Sequence, residues 1–112
     1  MIEIKNVSKT FATANGNLHA LNDVSLSVND GEIYGIIGMS GAGKSTLVRC
    51  MNMLEKPDDG EINIDGVNIT QQSEKELQKT RSEIAMIFQS FNLLMQRTCI
   101  KNITFPLELA GW

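Results

Sequence analysis

The stretch GMSGAGKS at positions 38–45, followed by Thr46, decides the fold that the rest of the chain must adopt. It has the form G-x-x-x-x-G-K-S, in which each residue type has a physical role. The three glycines lack a Cβ, so the backbone can take left-handed angles and turn several N–H groups towards one anion. Lys44 adds a point charge for the outer phosphates, and the Ser45 hydroxyl is a ligand for Mg²⁺. The pattern predicts a loop that binds the phosphates of a nucleotide.

The segments on either side of this loop have the composition that such a loop requires. Glu32-Ile33-Tyr34-Gly35-Ile36-Ile37 is nearly uncharged, which is typical of a buried parallel strand. After the loop, apolar residues recur at three- and four-residue spacing and predict one helix face, formed by Leu47, Cys50, Met51 and Leu54. A helix that starts near Lys44 points its positive dipole end at the phosphates.

Length and charge limit what the chain can be. With 112 residues it forms at most one small domain. The net charge of −3 and the scattered Lys and Arg residues argue against nucleic acid as a partner. No apolar window has the length of a signal peptide or of a membrane helix, so we expect a cytoplasmic location.

The cysteines and the single histidine do not predict a metal site or a disulfide framework. Cys50 lies on the apolar helix face, where a buried free thiol acts as a small hydrophobic side chain. His19 lies in a strand-like segment, and we expect it to be structural.

The residues before the loop predict an antiparallel layer. Ile2 and Ile4 alternate with charged residues in a first strand that continues through residues 9–12, and Asn15-Gly16 is a strong hairpin signal. Residues 18–21 form the returning arm, and residues 24–28 alternate as another strand.

Beyond the helix, a turn at 56–60 leads into a second hairpin around Asp65-Gly66. Ser73 and Glu76 have capping-box spacing, so a helix should run from there to about Arg81. Residues 84–88 then predict a buried strand that ends at Gln89, and a short helix is expected before Pro106.

Three features are open to two interpretations each. Phe11 either packs into the sheet or stacks on a nucleobase. Gln89 either has a ligand-facing role, in which it contacts Mg²⁺ or orients a water, or caps its strand. The apolar side chains of residues 90–95 either pack internally or form a docking surface.

Taken together, these motifs resemble the ATP-binding subunit of ABC transporters. The resemblance covers essentially the whole chain and includes LNDVSLSV at 21–28, GEIYGIIG at 31–38, GMSGAGKST at 38–46 and MIFQSFNLL at 86–94. The combination is most similar to the methionine-import branch. It implies an α/β fold of the P-loop NTPase type, with a RecA-like core and an antiparallel β layer. Residues 1–112 would be the N-terminal portion of a single ATP-binding domain, from the Walker A loop to just past the Q-loop.

The resemblance also implies the roles of individual residues. The predicted nucleotide-binding residues are Phe11, as the base-stacking aromatic, and Gly38, Met39, Ser40, Gly41, Ala42, Gly43, Lys44, Ser45 and Thr46. Ser45 and Gln89 are the implied Mg²⁺ ligands, and Lys44 and Gln89 are the implied catalytic residues. The implied cofactors are ATP and Mg²⁺. The implied partners are an integral-membrane permease, which contacts the loop after Gln89, and a second ATP-binding subunit, with the protein peripheral on the inner face of the cell membrane.

The chain also departs from the family pattern. Its 112 residues hold no LSGGQ-type signature, no Walker B strand ending in Asp-Glu and no switch histidine, since His19 precedes the loop. We therefore expect this polypeptide alone to hydrolyse ATP negligibly, and the strand before the loop to lie at an exposed sheet edge. The alternative is a non-catalytic, truncated nucleotide-binding or interaction module. A small-molecule kinase explains the early antiparallel layer less well.

Overall fold

A four-stranded antiparallel sheet organises the computed structural model, which describes residues 1–90 and 92–111. The strands are β1 (Ile2–Thr13), β2 (Gly16–Val28), β3 (Asp59–Ile64) and β4 (Val67–Asn68), in the spatial order β2-β1-β3-β4. The helices are α1 (Lys44–Met51), α2 (Glu74–Ser82) and α3 (Cys99–Leu109), with one 3₁₀ turn at Ile69–Gln71. Phe91, which belongs to the predicted docking segment, and Trp112 lie outside the described residues.

The first hairpin forms at the predicted turn, with Thr13 opposite Gly16. The prediction of two separate strands within residues 18–28 is wrong, because β2 runs unbroken from Gly16 to Val28. Irregular pairing replaces the expected break. Asn6 and Asp23 both have a φ of 53°, and the Asn6 side chain donates to Asp23 Oδ1 at 2.8 Å. These left-handed residues let both long strands twist without ending.

The core lies between this sheet and helix α1. Ile4 of β1 pairs with Ile62 of β3, and both are buried beneath the helix residues Leu47 and Cys50. Each such aliphatic side chain contributes about 1.5–3 kcal/mol by leaving water. The full buried apolar set is Ile4, Val7, Leu21, Leu47, Cys50, Met53, Ile62, Ile69 and Leu77.

The predicted apolar face of α1 is only partly correct. Leu47 and Cys50 are buried as expected, but the helix ends at Met51 and Leu54 is exposed. Met53 takes the core position instead, because its φ of 60° turns the chain back under the sheet.

The other two helices follow local signals. The capping box at α2 is confirmed, since the Ser73 hydroxyl accepts from the Glu76 N–H at 3.3 Å and donates to its carboxylate at 3.0 Å. Helix α3 continues past Pro106, where we expected it to end. Proline removes one helical N–H donor and its ring crowds the carbonyl four residues earlier, yet the helix continues and Ala110 N–H donates to the Pro106 carbonyl at 3.1 Å.

The predicted parallel strands at 32–37 and 84–88 are extended but unpaired. A parallel strand needs neighbours on its edges, and residues 1–90 and 92–111 provide none for either segment. Ile33 is 99% exposed, Ile37 96% and Ile87 99%, although Ile36 packs against the core. The segment before the loop is therefore exposed, but it is not the edge strand of a sheet that we expected. Within the described ranges no helix has the length and apolarity needed to cross a membrane.

Candidate nucleotide-binding site

The loop of residues 38–43 joins the extended segment 32–37 to helix α1. Ala42 N–H donates to the Met39 carbonyl at 3.0 Å and closes a turn in which Gly41 has a φ of 83°. Gly43 is the N-cap residue of α1 with a φ of 96°, and a Cβ there would lie 2.3 Å from the Ala20 carbonyl oxygen. Glycine is required at position 43 both by its backbone angle and by its contact with β2.

Gly38 differs from the other two loop glycines. It does not have the left-handed angle that we predicted for all three. A Cβ at Gly38 would instead lie 3.2 Å from Ala42 Cβ and 3.8 Å from Lys44 Nζ. The absence of a side chain at Gly38 therefore leaves room beside Ala42 and the Lys44 side chain.

The Lys44 ammonium lies over this loop. Its Nζ donates to the Gly38 carbonyl and, at 2.8 Å, to the Met39 carbonyl. Both acceptors are neutral, so a charged phosphate oxygen that enters the loop forms the stronger bond with the same cation. The ammonium is thus held at the loop by two backbone carbonyls.

Ser45 and Gln89 meet at the start of α1 although 44 positions separate them. The Gln89 Nε2 donates to Ser45 Oγ at 3.4 Å, and both residues are exposed. Mg²⁺ prefers oxygen ligands and commonly takes only one or two from the protein, the rest being waters and phosphate oxygens. An amide nitrogen does not bind Mg²⁺, so the ion would take the Ser45 hydroxyl oxygen and the Gln89 Oε1, with the amide turned so that Oε1 replaces Nε2 at this position.

A cavity of about 450 Å³ opens beside this pair. Its cationic lining residues are Lys44 and Arg49, both on α1, and its lining within the described part of the chain includes no Asp or Glu. The remaining lining side chains are Ile36, Ser45, Val48, Met86, Ile87, Phe88, Gln89, Ser90 and Asn92. A cavity with this charge balance favours an anionic ligand.

The other predicted loop residues surround this arrangement. Met39, Ser40 and Ala42 are exposed in the loop, whereas Thr46 is half-buried in the first turn of α1. Of the predicted residues from 38 to 46, the structure brings Lys44 and Ser45 together with Gln89 at the cavity.

Phe11 lies on the strand next to the loop rather than within it. It is half-buried and pairs across the hairpin with Leu18. The loop contacts the same part of β2, because Gly43 lies against Ala20 and Leu21. Leu18 and Ala20 are two positions apart, with one residue between them, which is a distance of about 7 Å along a strand. Phe11 therefore lies at the end of the sheet that carries the loop.

Sequence reasoning missed two charged residues near Phe11. Lys9 Nζ lies 5.3 Å from the centroid of the Phe11 ring, and Asp58 Oδ1 lies 3.5 Å from the same ammonium. The Thr10 N–H donates to Asp58 Oδ2 at 2.7 Å and, with Lys9, lowers the pKa of that carboxyl below its ordinary value of 3.8. We interpreted Asp58 only as a turn residue, and no local pattern links it to a strand 48 positions away.

His19 and Cys50 are two other residues for which the sequence makes a prediction. His19 is structural, as expected, because its Nδ1 lies 3.0 Å from Thr10 Oγ1 on the neighbouring strand. Cys50 is fully buried, and burial raises the pKa of its thiol above the ordinary range. Neither residue contributes to the cavity at Ser45 and Gln89.

The segment after Gln89 presents apolar side chains next to α3. Leu93, Leu94 and Met95 are exposed. The Asn102 side chain fixes this segment, since its Oδ1 accepts from Leu94 N–H at 2.8 Å and its Nδ2 donates to the Leu94 carbonyl at 3.2 Å. The exposed apolar surface of α3 adjoins it, including Ile100, Ile103 and Leu107.

The sequence of this chain is similar to those of curated proteins. It is 56% identical over 111 residues to a methionine import ATP-binding protein of Oceanobacillus iheyensis, 55% to one of Vibrio vulnificus and 58% to one of Bacillus cereus. Each alignment covers 99% of this chain and 32% of the relative. The chain therefore spans about a third of the length of these curated relatives.

Solved structures share its fold. A dimeric, post-hydrolysis state of the ATP-binding cassette MJ0796 bound to ADP and Pi matches with a TM-score of 0.91 and 37% identity. A dimeric structure described as a bacterial ABC transporter cassette matches with a TM-score of 0.92 and 38% identity. Both matches cover 97% of this chain and 47% of the solved chain. They confirm the predicted α/β fold of the P-loop NTPase type with its antiparallel layer.

A protein-family model described as "ABC transporter" matches residues 21–110. That range includes the whole phosphate-binding loop, Gln89 and the segment that follows it. The chain belongs to the ABC transporter family.

Proposed function

We propose that the chain is the nucleotide-binding part of an ABC importer ATPase, and that the complete protein energises uptake of methionine or a related amino acid. The observation that carries the proposal is the meeting of Lys44, Ser45 and Gln89 at one loop. The printed names of the curated relatives support methionine as the cargo.

The loop residues divide the binding of ATP between them. The N–H groups of the loop and the start of α1 bind the phosphates, and Lys44 exchanges its two carbonyl acceptors for phosphate oxygens. Ser45 and Gln89 would hold Mg²⁺, which neutralises charge on the outer phosphates when bound. Phe11 stacks on the adenine, since base–aromatic stacking is favourable for any base.

Hydrolysis requires more than these residues supply. Phosphoryl transfer to water is accelerated by positioning and by charge stabilisation, with a residue that orients the water. Gln89 is suited to sense the attacking water, but the described lining of the cavity offers no carboxylate. We propose that the 112-residue chain binds ATP without turning it over at an appreciable rate.

The partners follow from the exposed apolar surface and from the relatives. The segment from Ser90 to Gln96 would receive a membrane permease, because Leu93, Leu94 and Met95 expose apolar side chains and Asn102 fixes the backbone at Leu94. A second ATP-binding subunit would complete the site, as in the dimeric cassettes that share this fold. This assembly would place the protein on the cytoplasmic face of the membrane.

The test is a calorimetric titration of Mg-ATP into the chain and two lysine variants. Lys44→Ala should weaken binding about 10- to 100-fold, since hydrogen bonds to charged groups are lost. Lys5→Ala is the matched control, because Lys5 is an exposed lysine of β1 paired with Glu3 and Glu61. Equal affinities of the two variants would contradict the proposal, and ATP turnover abolished by Lys44→Ala would contradict the claim of inactivity.

A further inference from the structure

Lys9 and Phe11 lie side by side on β1. Neither is among the residues proposed to bind the phosphates. Lys9 Nζ lies over the Phe11 ring, 5.3 Å from its centroid. The lysine side chain is only 15% exposed, which is low for a residue of this type. A cation at this distance is attracted by the negative face of the aromatic ring.

Two carboxylates from the loop after α1 hold the lysine in this position. Asp58 Oδ1 lies 3.5 Å and Glu55 Oε2 4.0 Å from Nζ. Asp58 is itself fixed to β1, because it accepts the Thr10 N–H at 2.7 Å and donates its own N–H to the Ser8 carbonyl at 2.8 Å. The ammonium therefore has a defined place relative to the strand that carries Phe11.

The pairing of β1 with β2 connects this cluster to the phosphate loop. Lys9 lies opposite Leu21, and Leu21 Cδ2 would be 3.3 Å from a Cβ on Gly43. Leu21 thus contacts the N-cap of α1 and pairs with the strand position of Lys9. A substitution at Lys9 would alter the surroundings of the Phe11 ring directly, and those of the loop only through Leu21.

We propose that Lys9 is a positioning residue for the base of the bound nucleotide. Its ammonium covers one face of the Phe11 ring and fixes the ring's orientation, which leaves the opposite face for the adenine. This inference rests on the proposed function, in which Phe11 stacks on the base. The loss of Lys9 should therefore weaken binding of nucleotides that carry a base and leave binding of a bare triphosphate unchanged.

The experiment compares affinities for ATP and for inorganic tripolyphosphate, each with Mg²⁺, by calorimetry on the whole chain. Lys9→Met keeps the aliphatic stem and should lower the ratio of ATP affinity to tripolyphosphate affinity about three- to tenfold. Lys9→Arg should stay within about twofold of the unchanged chain, because guanidinium also lies over aromatic rings. Lys5→Met on the same strand is the control, and Phe11→Ala tests the stacking itself.

The outcomes separate this inference from the function on which it rests. If Phe11→Ala lowers the ratio and Lys9→Met does not, stacking stands and the role of Lys9 is wrong. If Lys9→Met weakens ATP and tripolyphosphate equally, Lys9 is merely structural and the inference is again wrong. If Phe11→Ala leaves the ratio unchanged, both the stacking and the inference fail, while phosphate binding at Lys44 is unaffected by that result.

Discussion

Gly43 lies where the phosphate loop, helix α1 and strand β2 come together. Its φ of 96° is one that other residue types rarely adopt, and a Cβ would lie 2.3 Å from the Ala20 carbonyl oxygen. Gly41 has a similar angle of 83°, but nothing lies within 4 Å of a Cβ at that position. The two glycines therefore separate the cost of the backbone angle from the cost of the contact.

We expect Gly43→Ala to destabilise the fold by about 2–5 kcal/mol, because angular strain and a steric clash add together. Gly41→Ala should cost only about 1–2 kcal/mol, since it introduces the strain alone. Urea unfolding followed by circular dichroism measures both values. Equal free energies of unfolding for the two variants would mean that the contact with β2 is unimportant.

For single residues, the sequence predicts well the features that a short motif encodes. The loop glycines, Lys44 and Ser45 follow from eight consecutive residues, and the left-handed angles at Gly41 and Gly43 follow from the same pattern. Lys9 and Asp58 were missed because their contact joins distant segments through one exposed carboxylate. No spacing rule connects residues that only the fold brings together.

Among the elements, the antiparallel hairpins formed where the sequence predicted them and the parallel strands did not. A hairpin is encoded locally, in a turn such as Asn15-Gly16 and the alternation beside it. A parallel strand depends on neighbours from elsewhere in a chain, so an apolar run such as residues 32–37 is extended but unpaired here. Composition alone does not reveal whether those neighbours are present.

Arg81 joins helices α1 and α2. Its Nε donates to the Asn52 carbonyl at 3.0 Å and its Nη2 to the Met53 carbonyl at 2.8 Å, so one guanidinium pairs two acceptors just beyond the end of α1. The third contact, with Glu74 at 2.9 Å, involves a mostly exposed carboxylate and adds little.

The two hydrogen bonds from Arg81 to the Asn52 and Met53 carbonyls can be tested by comparing Arg81→Ala with the same substitution at Arg97. Arg81→Ala should lower the free energy of unfolding by about 2–3 kcal/mol, because two part-buried carbonyls lose their charged donor. Arg97→Ala removes an exposed ion pair with Glu108 and a contact with the Phe105 ring, and should cost only about 1 kcal/mol. If Arg81→Ala lowers the free energy of unfolding no more than Arg97→Ala does, the Arg81 hydrogen bonds do not stabilise the helix pair.

In the whole molecule, the fold assembles the site from segments that are distant in sequence. Asn52, at the end of α1, donates to Met86 Sδ at 3.2 Å and so ties the helix to the extended segment before Gln89. That contact helps to bring the Gln89 amide within 3.4 Å of Ser45 Oγ. We propose that these two side chains bind one Mg²⁺ together with the phosphates of ATP.

The most direct test of that claim is the gain in ATP affinity on adding Mg²⁺, measured for Ser45→Ala, Gln89→Ala and the double variant. Ser90→Ala is the control, since Ser90 lines the same cavity next to Gln89. Each single variant should reduce the Mg²⁺-dependent gain, and the double variant should lose less than the sum because the two ligands are coupled. Affinity for ATP without Mg²⁺ should change little in either single variant. An unchanged gain in both single variants would contradict the account.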